Sequence, residues 1–70
     1  MNLRVKEELE RIIKGIEKSE EIYKDSSYRE YTTAIHKTVF IELKKYLPSE
    51  IEYLIIDDTP NYYKVEFWRE

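Results

Sequence analysis

Residues 27–47, SYREYTTAIHKTVFIELKKYL, decide how the rest of this chain is read. Tyr28, Tyr31, Ile35, Val39, Leu43 and Tyr46 recur at steps of three and four, the spacing of one helical face. Ser27 with Glu30 three residues later matches a capping box, in which two side chains satisfy the free amides of a first helical turn. Pro48 closes the stretch, because it disfavours helical geometry at Leu47 and has no N–H to donate. The expectation is a helix over about 28–47.

Upstream, Val5, Leu9, Ile12, Ile16 and Tyr23 fall on one face of a helix expected over about 3–24, with Ile13 beside them. Asn2 is placed to cap it, and Glu7, Glu8 and the pairs Glu7–Arg11, Glu10–Lys14 and Glu20–Lys24 suit its dipole and surface. Gly15 weakens that helix by about 1 kcal/mol relative to alanine. It marks either a tolerated surface position or a close crossing. Ser19 interrupts the apolar seam, which argues against a long coiled coil. If residues 3–47 formed one straight helix, its two stripes would point roughly 140° apart and could not share a partner. The break at Lys24-Asp25-Ser26-Ser27 therefore implies an antiparallel helical hairpin.

Downstream the period changes. Residues 51–56 (IEYLII) and 62–68 (YYKVEFW) are rich in β-branched and aromatic residues and flank the turn formers Asp57-Asp58-Thr59-Pro60-Asn61. They read as a two-stranded antiparallel hairpin with a five-residue loop. The fold class is α+β, in the order ααββ, as one small domain over 1–70. Tyr63, Val65 and Phe67 with Ile51, Tyr53 and Ile55 form the expected inner face. The outer face carries Glu52, Lys64 and Glu66, yet also Leu54, Ile56, Tyr62 and Trp68.

That surplus carries the functional reading. A chain of this length buries only about 60% of its unfolded surface, and with no cysteine it has no disulfide or thiolate zinc site to reinforce it. A two-stranded hairpin has two open edges and is not stable alone. The expected interface is therefore Leu54, Ile56, Tyr62 and Trp68, with Ile41 on the far side of the second helix as a further contact. The expected partner is a protein, with a second copy extending the hairpin into a larger sheet. The role this implies is a non-enzymatic accessory or inhibitory module. The alternative is nucleic-acid or nucleotide binding, with Tyr62, Tyr63 or Trp68 stacking near Lys64 and Arg69.

Enzyme chemistry finds little footing. With one glycine, the chain holds no phosphate-binding loop, dinucleotide turn or nucleophile elbow. Asp57 and Asp58 lack the frame of a calcium loop, so no metal or cofactor is expected. Glu42 falls within the second apolar arc, where a carboxylate must be paired or hydrogen-bonded, and the expectation is a buried pair with a Lys or Arg of the first helix or with a Tyr hydroxyl; the alternative is a general acid or base, or an anchor for a basic partner. His36 lies about 120° round the helix from Glu42 and reads as a boundary residue. A net charge of −3, well mixed, argues against a general nucleic-acid coat. No eighteen-residue apolar run or signal-peptide core occurs, which implies a cytoplasmic protein without a membrane span. The abundance of Glu, Lys, Ile and Tyr fits a thermophile, and equally an AT-rich genome.

Overall fold

The computed structural model describes residues 2–22 and 30–70. Among them the chain forms α1 (Leu3–Ile22), β1 (Glu30–His36), α2 (Lys37–Leu43), a 3₁₀ turn (Lys44–Tyr46), β2 (Ile51–Asp58) and β3 (Tyr62–Arg69). The Ser27–Glu30 capping box, Tyr23, Lys24 and Tyr28 involve positions outside the described residues.

α1 follows from its pattern. Val5, Leu9, Ile12, Ile16 and Ser19 are its buried residues, so the seam continues through Ser19. Asn2 caps it as expected: its Oδ1 accepts from the Val5 amide at 2.9 Å, and its carbonyl accepts the first helical bond from Lys6. Arg11 pairs with Glu8 in place of Glu7, and Glu20 reaches across to Arg69 at the end of β3, 3.2 Å away.

The second expected helix is the main correction. Residues 30–36 are a strand, and only 37–43 are α-helical. A spacing of four, such as Tyr31 to Ile35, returns to one face in a strand as well as in a helix. The residue between them settles the matter. Thr33 lies on the same side, and Tyr31, Thr33 and Ile35 stand opposite Phe67, Val65 and Tyr63 of β3. Pairing with β3 gives a strand rich in β-branched residues a ladder that no local helix could offer. Beyond His36 the helical period takes over, with Val39, Phe40 and Leu43 buried. Leu47, extended ahead of Pro48, ends the segment as its proline requires.

The sheet therefore has three antiparallel strands in the order β1-β3-β2 rather than two. The hairpin loop is also shorter than expected. β2 runs on through Asp57 and Asp58, and the turn is held by Thr59, whose amide donates to the Tyr62 carbonyl while its hydroxyl exchanges hydrogen bonds with the Tyr62 backbone. Both helices pack over β1 and β3. The core between them holds Val5, Leu9, Ile12, Ile16, Ile35, Val39, Phe40, Leu43, Val65 and Phe67, with Ile51 at its margin. β3, flanked on both sides and covered by the helices, holds the fully buried Val65 and Phe67.

Gly15 is a close crossing. An added Cβ there would stand 2.3 Å from Tyr31 Cδ1 and 2.6 Å from its Cγ. The ring of β1 thus lies directly on the backbone of α1.

Candidate functional site: the exposed edge strand

Because the helices sit over β1 and β3, β2 is left at the open side of the sheet. Its inner face reaches the core through aromatic contacts: the Tyr53 ring meets Phe40 at 5.3 Å and Phe67 at 6.4 Å between centroids. The remainder of the strand is uncovered. Tyr53 and Ile55 on the inner face are each 39% exposed, and Leu54 and Ile56 are 55% and 45% exposed. Four consecutive apolar residues thus meet solvent on both faces of one strand. Among the described residues β2 pairs with β3 alone, so its other edge, apart from the Ile51 amide that donates to the Pro48 carbonyl, presents unpaired backbone donors and acceptors.

The outer face is arranged by the strand register. Glu30, Trp68 and Glu52 lie in one row across the three strands, followed by Thr32, Glu66 and Leu54, and then by Ala34, Lys64 and Asp57. Trp68 is half-buried between Glu30 and Glu52. Tyr62 stands at the other end of β3, its ring edge-on to His36 at 5.4 Å. The charged residues Lys64 and Glu66 lie between the two aromatics along β3, while Leu54 stands diagonal to Trp68 on the same face. Leu54 and Ile56 belong to the β2 strip, which a shift in register between Ile55 and Asp57 brings to an end. Ile41, 50% exposed, is carried by α2.

Tyr53 and Ile55 are the functional candidates that alternation alone assigns to the core. The signal for them is the run Tyr53-Leu54-Ile55-Ile56 itself, since a strand with one wet face would have interposed polar residues.

The titratable candidates resolve into structural roles. His36 ends β1 and caps α2: its Nδ1 accepts from the Thr38 amide at 3.3 Å and lies 2.8 Å from the Thr38 hydroxyl. Glu42 is exposed and bonded to Lys45 three residues on, 3.2 Å away, in place of the expected buried pair with the first helix or a tyrosine hydroxyl. Of the residues that would set Glu42 in a buried stripe, Ile35 belongs to β1 and Tyr46 is exposed. Lys37 joins Asp58 in an ion pair, lies 4.8 Å from the centre of the Tyr63 ring, and donates its amide to the Asn61 carbonyl. These contacts tie α2 to the hairpin loop. On the outer face, a hydrogen bond that the protonated Glu66 carboxyl donates to Glu30 holds Glu66 above its ordinary range, with partial desolvation and the neighbouring charge adding to the rise. No group of three or more metal-ligating side chains occurs among the described residues, and no described helix is long and apolar enough to cross a membrane.

The chain matches no protein-family model, no curated protein and no solved structure. Its site is therefore read from its own geometry.

Proposed function

We propose that this protein is a small non-enzymatic module that binds another protein through β2, acting by docking or blocking, and that it self-associates. The supporting observation is the run Tyr53-Leu54-Ile55-Ile56, exposed and on a strand edge that no other described strand pairs. Completing the burial of four half-exposed side chains of this size is worth roughly 3–5 kcal/mol before the costs of association. That is too little for a stable complex by itself. A partner that also pairs with the strand backbone adds the hydrogen bonds that the edge leaves open, which is the mode of β-strand addition.

The alternative, nucleic-acid binding through the hairpin aromatics, has weaker support. Lys64 shares the outer face with Glu30, Glu52, Glu66 and Asp57, a balance that repels phosphate.

A photo-reactive residue introduced at Leu54 or Ile56, in cells producing the protein, tests the reading against the same residue at Glu17, on the exposed side of α1. The expected result is protein cross-linked from 54 and 56, whether another copy or a different chain, at several times the yield from 17. Equal yields, or cross-linking to nucleic acid in place of protein, would overturn it.

A further inference from the structure

We infer that the occupant of the β2 edge is the β2 strand of a second copy, paired antiparallel about a two-fold axis at Tyr53. The inference rests on the protein-binding reading above and names the partner.

The geometry is restrictive. Two adjacent antiparallel strands related by a two-fold axis have that axis normal to the sheet, so the inner faces of both copies lie on one side. Residues that stand opposite one another must then share a face, which leaves only registers centred on a residue. Centring on Ile55 sets Leu54 against Ile56 of the second copy, across the irregularity between Ile55 and Asp57. Centring on Leu54 sets Ile51 against Asp57 of the second copy and runs through the irregularity between Ile55 and Asp57. Centring on Tyr53 avoids both. Ile51 then faces Ile55, Tyr53 faces Tyr53, and Glu52 faces Leu54, all within the regular part of the strand; the Ile51 amide already donates to the Pro48 carbonyl, so the Ile51–Ile55 pair is held by the Ile55 amide and the Ile51 carbonyl. No carboxylate of Ile51–Asp58 opposes another.

The segment Ile51-Glu52-Tyr53-Leu54-Ile55 is thus self-complementary: apolar against apolar on the inner face, and one acid against one leucine on the outer. The other sheet edge suits pairing less well. β1 offers Thr32, Thr33 and Ala34 at its centre in place of an apolar run. The assembly has six strands in the order β1-β3-β2-β2-β3-β1, with four helices on one face. Tyr53 rings from both copies meet at the dyad, where cross-strand aromatic pairs are favourable.

The test uses the purified chain alone. Light scattering over a range of concentrations is expected to give about twice the 8.6 kDa chain mass at the upper end. The chain has no cysteine, so single introduced cysteines report the register. Directly opposed residues have Cα atoms about 4.5–5.5 Å apart, within disulfide reach. Under mild oxidation Tyr53→Cys is expected to cross-link with itself. Glu52→Cys and Leu54→Cys are expected to cross-link only when mixed with each other. Leu54→Asp, which faces Glu52 twice in the dimer, is expected to weaken dimerisation roughly tenfold, and Leu54→Lys to preserve it.

A monomeric mass at every concentration would overturn the inference. Self-cross-linking of Leu54→Cys or Ile55→Cys in place of Tyr53→Cys would do so as well. The mass of the unaltered chain does not depend on whether any variant folds. A monomer that still traps a different protein from position 54 would refute the second copy and leave the protein-binding reading standing.

Discussion

Gly15 shows how one residue can be read correctly for its local cost and still conceal its purpose. By propensity it weakens α1 by about 1 kcal/mol. In the fold its missing side chain is the space occupied by Tyr31, whose Cγ would lie 2.6 Å from an added Cβ. Cγ sits next to the backbone of β1, so the ring cannot escape by bending at its tip. Gly15→Ala is therefore expected to destabilise the protein by about 1–3 kcal/mol net, against the gain in helix propensity. Combining it with Tyr31→Ala should recover much of the added loss. Chemical denaturation of the two single variants and the double variant measures this coupling. A stabilised Gly15→Ala protein would refute the close crossing. At this scale Glu42 also changes character, from an expected buried partner to a solvated partner of Lys45, while His36, read as a boundary residue, caps α2.

Among the elements, the sheet has the larger surprise. β1 places Glu30 beside Glu66 of the central strand, and their hydrogen bond raises the Glu66 pKa from its ordinary value of 4.5. The folded protein thus holds that proton more strongly than the unfolded chain does. The stability linked to it is fully present below pH 4.5 and is lost as pH rises through the raised value. Glu66→Gln, which keeps a donor for Glu30 without the charge, is expected to flatten the thermal midpoint across that window and to raise it at neutral pH. A midpoint–pH curve identical to that of the unaltered protein would refute the pairing. The elements legible from sequence were α1, with its cap and seam, and the β2–β3 hairpin. β1 was hidden because Tyr31, Ile35, Val39 and Leu43 keep a spacing of four across a junction where the backbone changes from strand to helix.

For the molecule as a whole, the decisive fact is incomplete cover. Two helices suffice for β1 and β3 and leave β2 with apolar side chains on both faces. If a second copy supplies the cover, folding is linked to association, and stability depends on protein concentration. Each tenfold increase in concentration is then expected to raise the thermal midpoint by up to about 5 °C for two chains of this size. A scanning calorimetry series tests this. A midpoint that stays constant over two decades of concentration would indicate that the edge remains open in the isolated protein.

Local pattern by itself determined α1, the proline-terminated end of the second helical segment, the hairpin and an excess of apolar surface near it. Each of these depends on residues within a few positions of one another. Tertiary structure decided the rest. It converted residues 30–36 from helix to strand, because β3 offered a ladder more than twenty-five residues away in sequence. It also determined which apolar residues stayed wet. The expected patch ran across the outer face, through Leu54, Ile56, Tyr62 and Trp68. The third strand made β3 central, set Trp68 between two glutamates and moved the helices away from β2. Four consecutive exposed apolar side chains thereby fall on a single edge strand, an outcome that depends on where the layers come to rest and that no local periodicity encodes.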